Sequence, residues 1–408
     1  MRNTFIFLFV LGFHHAFGQL WLPIQHDTTL IDQEIILSGD NSYNSSSLQN
    51  SIADRLLRGG QISADVINQS YDVQKGLNRL GKNLQAEFEY RNYKANIFRN
   101  KNWGFLVKGA YYFIGSAAYS DDLFGLIFKG NDQFLGSTAE FSGTTLNVMG
   151  FQKVGFGVIS KKGKSSVTLN FINVSSAYKG RLQTGILTQD AEASSIDLEV
   201  DGSFSFTDKN QFSNGLGAAV DLDFKIPFQW LNGRKSYIQL QTKNLGMAYM
   251  NQGMKSYSVD STYNYSGFNF DQIFNNQSLF GNDFSILDSL AIQAEQLKKW
   301  VVLPCVFQAS KLIDENYQGK FQSLFGLRLY PTLSYTPLLF LGVNYRPKQF
   351  LDLGIVASYG GFGSFRAGFY SNINFQKIQI GIGTEDVLGF ISKNAFGESL
   401  NLRVRCKL

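Results

Sequence analysis

Residues 399–408 at the end of the chain alternate without interruption. Leu400, Leu402, Val404, Cys406 and Leu408 fall on one side of an extended segment, and Ser399, Asn401, Arg403, Arg405 and Lys407 on the other, because successive side chains of a strand point to opposite faces. A protein core does not accept the cations, and water does not accept the apolar row. A strand of a membrane barrel satisfies both faces, with the apolar side toward lipid and the polar side toward an aqueous lumen. An edge strand of a soluble sandwich is the alternative.

The opposite end agrees with export. Met1-Arg2-Asn3 is followed by an apolar run from Thr4 to Phe13 and then Ala16-Phe17-Gly18, which reads as a secretory signal peptide over residues 1–18, too short to cross a bilayer. After Gln19 no apolar run approaches 18 residues, so a transmembrane helix is not expected. A chain with 44% hydrophobic residues, 15% aromatics, 40 Gly and 6 Pro can still span a membrane, since barrels hide their hydrophobicity in alternation. The net charge of +5 is dispersed, and nucleic acid is not implied. Cys305 shares a face with Val301, Leu303 and Phe307, and Cys406 lies on the apolar face of the last strand. Two free thiols facing lipid from separate strands are expected.

Residues 19–83 do not alternate. They are polar and turn-rich through Asn41-Ser42-Tyr43-Asn44, then show helical spacing at Ile52, Leu56 and Leu57 up to Gly59-Gly60, and at Ala64, Ile67, Tyr71, Val73 and Leu77 up to Gly81. The stretch reads as a plug, or as a periplasmic subdomain, ahead of the barrel. From Leu84 onward period two dominates. Strands are expected from residue 84, then over 103–119, 144–161, 164–178, 193–207, 214–226 and 236–250. A second set covers 300–313, 320–335, 338–346, 350–359, 364–375, 377–384 and 399–408. Together they make a closed antiparallel all-β barrel of about fourteen strands, the even number that leaves no edge in lipid. A short helix over residues 121–131 has acids first and Lys and Gly last. A long loop insertion at 251–298 breaks the rhythm and carries helical spacing from Asp283 to Lys298.

Closure pairs the first expected strand with the last, setting Glu87 and Glu89 against Arg403 and Arg405 and favouring one register. Arg328, Arg366 and Lys243 project inward by the same parity. Asp197, Glu199, Asp201, Asp221 and Asp223 crowd one sector of the lumen wall. Such a cluster calls for compensation by the plug cations Arg55 and Arg58, by a bound cation, or by water alone. Enzyme chemistry finds no support. His26 is the one histidine after the signal peptide, and no nucleophile elbow, His-Glu-x-x-His or phosphate loop occurs. No cofactor or metal motif is present.

The signal peptide ending in Gly18-Gln19, the Asp122-Leu123-Phe124 helix ending Gly130-Asn131 and the barrel after it resemble uncharacterised outer-membrane barrel families of the Bacteroidota, of the domain-of-unknown-function type. Fourteen strands with an N-terminal plug also look like the long-chain fatty-acid transporter architecture. The barrel partners of secretion and gliding machinery are similar too. The resemblance implies a bacterial outer-membrane location in contact with its lipid, and either a channel or transporter for small solutes, hydrophobic cargo included, or a structural partner of secretion or surface-complex proteins. Leu408 stands where such barrels usually end in an aromatic residue. No ligand motif transfers by position.

Overall fold

The computed structural model describes residues 25–26, 31–207, 211–230, 234–266, 295–314, 316–317 and 319–408. The expected signal peptide and most of the expected Asp283–Lys298 helix lie outside them. Sixteen main strands occur among the described residues: β1 Gln33–Ser45, β2 Asn78–Asn92, β3 Trp103–Tyr119, β4 Thr145–Ser160, β5 Ser166–Gln189, β6 Ser195–Phe206, β7 Gly215–Trp230, β8 Arg234–Tyr249, β9 Met254–Ser266, β10 Val306–Lys311, β11 Phe321–Leu329, β12 Thr336–Lys348, β13 Leu351–Gly361, β14 Phe365–Asn374, β15 Ile378–Thr384 and β16 Gly397–Lys407. All of them except β6 and β9 form a closed antiparallel ring of fourteen strands, β1 pairing with β2 on one side and with β16 on the other.

Burial in the ring is inverted relative to a soluble sheet. On β13, Leu351, Leu353, Ile355, Ala357 and Tyr359 face out, while Asp352, Val356 and Ser358 are buried inside. Ile355 is 67% exposed and Asp352 0%. Aromatic pairs sit near both rims of the apolar outer band: Tyr178–Phe206, Phe206–Tyr257 and Tyr249–Trp300 toward one end, and Tyr90–Phe105 and Phe321–Tyr345 toward the other. This is the pattern of a membrane-spanning barrel. The connections β4–β5, β12–β13 and β14–β15 at the end carrying Gln33 and Leu408 are short. At the far end β1–β2, β3–β4 and β15–β16 are long and contain helices, while β13–β14 is a short turn; at the near end β2–β3 and β10–β11 are longer.

Three expectations need correction. First, residues 19–83 are not all ahead of the barrel, because β1 inserts between the first and last strands that were expected to meet. Its lower outward residues Ile35 and Leu37 are apolar, but Gly39, Asn41 and Tyr43 above them are not, so the alternation is muted. Second, 193–207 is a strand outside the ring. β5 is 24 residues long; its first half pairs with β7 and its second half with β6, and β6 pairs on with β9. The count of fourteen survives because one strand enters the ring as another leaves. Third, part of the expected 251–298 loop is strand: β9 covers Met254–Ser266, and Glu295–Leu297, at the end of the expected helix, pairs with it.

The helices α1 (Asn50–Arg58), α2 (Ala64–Tyr71) and α3 (Asp121–Lys129) form where their capping and apolar spacing place them. Ser120 Oγ accepts from the amide of Leu123 at 3.0 Å, and Gly59 ends α1 at φ 79°. The second pattern stops at Tyr71 rather than running to Gly81, where β2 has already begun. Ile52, Ala53, Phe124 and Phe128 pack on Tyr43, Leu80 and Tyr119, which share the outward parity of the exposed Leu37, Phe88 and Tyr111. The helices therefore brace the outside of the wall at the loop-rich end. The outer side of the β5–β6–β9 extension is covered by α3 and its following turn through Leu126, Phe134, Leu187, Ile196 and Leu198, the face that Phe206 continues into the outer band.

Candidate functional site: a packed, charged lumen and a break in its wall

The lumen is filled by side chains. At the loop-rich end an apolar layer of Tyr112, Phe151, Ile172, Val174, Met250, Met254 and Leu303 closes one sector, and Tyr112 stacks on Phe151 at 5.0 Å between ring centroids. Leu303 and Cys305 are buried beside the gap between Val302 and Val306, so Cys305 does not face lipid as expected; both thiols are free. Tyr335, Leu338 and Phe362 cluster elsewhere. The Phe362 ring lies against Gly81, where an added Cβ would meet it at 1.9 Å.

Beneath these layers runs a network of ion pairs. Glu34, fully buried, accepts from Arg405 Nε at 2.6 Å, from Arg91 at 3.2 Å and from the Tyr93 hydroxyl at 2.5 Å. Arg91 also donates to Glu89 at 2.7 Å. Glu87 takes the hydroxyl of Tyr112 at 2.9 Å and the ammonium of Lys243 at 3.3 Å. That last pair spans the lumen, because β2 and β8 are separated by four ring strands on either path's shorter side. Asp221 takes Lys153 at 2.7 Å, Lys108 at 3.4 Å and the amide of Asn244 at 2.8 Å, and Asp223 takes Lys225 at 2.8 Å. On the other side Glu385 lies 3.4 Å from Arg328 and 3.5 Å from Arg366. Asp352 holds Arg346 at 2.7 Å and Asn374 at 2.7 Å. Buried charges are tolerated when paired and hydrogen-bonded, and here the pairing ties non-adjacent strands together.

The expected site residues are thus redistributed. Arg403 and Arg405 do face the lumen, yet β1 stands between them and Glu87 and Glu89; the direct acid for Arg405 is Glu34 on the strand that alternation failed to reveal. The five expected acids split in two. Asp221 and Asp223 are inside and matched by lysines. Asp197, Glu199 and Asp201 lie on the lumen-side face of β6, opposite Ile196, Leu198 and Phe206, but beyond the ring, where Asp197 and Glu199 are exposed and where the register adds Glu140 through Ile186, and Asp260 opposite Asp201. The reason is geometric: β6 lies outside the ring. Arg55 donates to the carbonyl of Ser51 on its own helix at 2.7 Å, away from both groups, and the Arg58 side chain lies outside the described residues.

A second feature could not be read from the sequence. β10 has six residues and stops at Lys311. The chain then turns inward, and Ile313 packs against Leu324, Val356 and Tyr370 in the lumen. There Ile313–Asp314 pairs in parallel with Gln25–His26. Phe321–Leu324 of β11 consequently has no ladder partner on that side among the described residues. Side chains replace the ladder: Lys311 Nζ donates to the Ser323 carbonyl at 2.6 Å, and Gln322 receives the Asp314 amide and donates to the Asp314 carbonyl, each at 2.9 Å. Just outside lies an apolar groove of about 550 Å³, lined by residues including Ile238, Phe325, Leu327, Leu341, Tyr359 and Phe365.

No family model and no curated protein matches the chain. Solved structures similar to it include the P. putida toluene transporter TodX, at 7% identity and a TM-score of 0.36 over 92% of this chain and 88% of that one. The translocator domain of the autotransporter NalP from Neisseria meningitidis aligns at 7% identity and a TM-score of 0.30 over 94% and 90%. The transport unit of the Escherichia coli autotransporter AIDA-I aligns at 6% and 0.25 over 96% and 95%. At such scores the likeness adds nothing to the closed ladder itself, on which the barrel assignment stands.

Proposed function

We propose that the protein is an outer-membrane channel or transporter for small solutes, hydrophobic ones included. The observation that carries this reading is the break in the wall at β10. In hydrocarbon a backbone ladder is hard to open, because every unpaired amide is costly. A seam held by Lys311 and Gln322 side chains opens by rotamer changes, and its outer face is an apolar groove. Phe340 and Gly326 separate that groove from the inward cluster of Ile313, Leu324, Val356 and Tyr370. A solute dissolved in the bilayer could cross there, the ion-paired lumen being the closed state. The three helix-bearing connections β1–β2, β3–β4 and β15–β16 at one end support outer-membrane placement with that end outward and the end carrying Gln33 and Leu408 periplasmic.

A structural partner of a secretion, gliding or surface-assembly complex is the second reading. It is favoured by the filled lumen and by the helix-braced sheet extension, whose uncovered face is acidic. Native mass spectrometry of the protein purified in mild detergent separates the two. A co-purifying hydrophobic molecule, lost when Leu341 is changed to Glu in the groove, supports transport. A stoichiometric protein partner with no bound hydrophobe would replace that reading by the second.

A further inference from the structure

The lumen contains a cavity of about 90 Å³ between the β1–β16–β2 wall and the facing β7 and β8. Most charged groups around it are matched: Glu87 by Lys243, Glu89 by Arg91, Asp221 by Lys153 and Asp223 by Lys225. Four groups on its lining are not. Asp40 is 4% exposed and receives Asn83 on Oδ1 at 3.0 Å, but its Oδ2 has no donor. Asn401, 3% exposed and opposite Asp40 in the register, has no acceptor for Nδ2. Gln241 Oε1 has no donor. Arg403 lines the cavity and forms no ion pair or hydrogen bond among the described residues.

The cavity therefore presents one carboxylate oxygen without a donor, one guanidinium without a directly bonded acceptor, one amide donor and one amide acceptor. Leaving such groups unpaired inside a protein is unfavourable. Asp40 and Arg403 are not paired with each other. The register opposes Asp40 to Asn401 and Ser38 to Arg403, which makes them diagonal neighbours at roughly 7–8 Å, and no ion pair joins them among the described residues. A lone anion would satisfy Arg403 and leave Asp40 worse placed; a lone cation would do the reverse. A group carrying both charges satisfies all four.

We infer that this cavity is a binding site for a small zwitterion of the amino-acid type. Its carboxylate is held by Arg403 and Asn401 Nδ2, and its ammonium by Asp40 Oδ2 and Gln241 Oε1. The site is independent of the break in the wall, and its failure would leave the transport reading where it stands.

The test uses the full-length protein in mild detergent, with glycine as probe and acetate and methylammonium as single-charge controls, read by thermal melting and calorimetric titration. Glycine should raise the melting temperature and titrate to saturation, while neither control does so alone. Asp40→Asn and Arg403→Gln, each checked for the folded gel mobility of the parent, should abolish the shift. Gln241→Leu, which removes one acceptor and no charge, should weaken binding roughly tenfold. If glycine produces neither a shift nor heat, the cavity holds water and the inference fails. It fails equally if acetate binds as well as glycine and Asp40→Asn has no effect, since the site would then be a simple anion site.

Discussion

Replacing Glu34 by Ala probes the node on which the ring closes. The carboxylate is fully buried and accepts from Arg405, Arg91 and Tyr93. Its removal leaves the Arg405 guanidinium deprived of a 2.6 Å partner and strips one of the two acids from Arg91, which keeps Glu89. Breaking a buried pair by deleting one partner destabilises by about 3–5 kcal/mol, chiefly through the uncompensated charge left behind. Glu34→Gln keeps the shape and the hydrogen bond from Tyr93 and should lose less, on the order of 1–3 kcal/mol. The double variant Glu34→Met/Arg405→Met removes both charges and should recover most of the loss, as buried pairs exchanged for apolar groups often do. Urea unfolding in lipid vesicles, followed by tryptophan fluorescence and folded gel mobility, gives the three values. If Glu34→Ala and Arg405→Ala each change stability by under about 1 kcal/mol and add in the double variant, the residues are not coupled, and the account of the closing seam is wrong.

Further outcomes follow from the same geometry. Asp197→Asn and Glu199→Asn, on the exposed face of β6, should each stay within about 0.5 kcal/mol of the parent, whereas Asp221→Ala should be strongly destabilising because Lys153 loses its 2.7 Å partner; equal effects in a urea titration would argue against the split of the acids. Gly81→Val should destabilise by about 1–3 kcal/mol, since its side chain would occupy the place of the Phe362 ring, and Phe362→Ala in the same chain should restore part of the loss in the same assay. Lys311→Met removes the donor from the Ser323 carbonyl and should raise uptake of an apolar dye into proteoliposomes; unchanged uptake alongside a fold intact by circular dichroism would count against the wall as the route.

Alternation along the chain was enough to settle that two faces of each strand meet different surroundings, and in β16 or β13 it also named the right residues for each. That follows from the period of two, which depends on backbone geometry alone. Helix positions were legible as well, because Ser120, Gly59 and the spacing of Ile52 and Phe124 act locally. What covers an apolar face is not local. The row Ile196 and Leu198 in β6 looks like a lipid-facing row, yet α3 covers it; Gly39, Asn41 and Tyr43 in β1 look unlike one, because the wall there is braced by helices instead of bathed in lipid. The strand count came out right while one member was wrong, and so Glu34, the partner that Arg405 requires, stayed hidden. The meeting of Glu87 with Lys243, the inward turn after Lys311 and the four unmatched groups around the central cavity depend on ring closure. Only the closed ring brings together residues as far apart in sequence as Asp40 and Arg403.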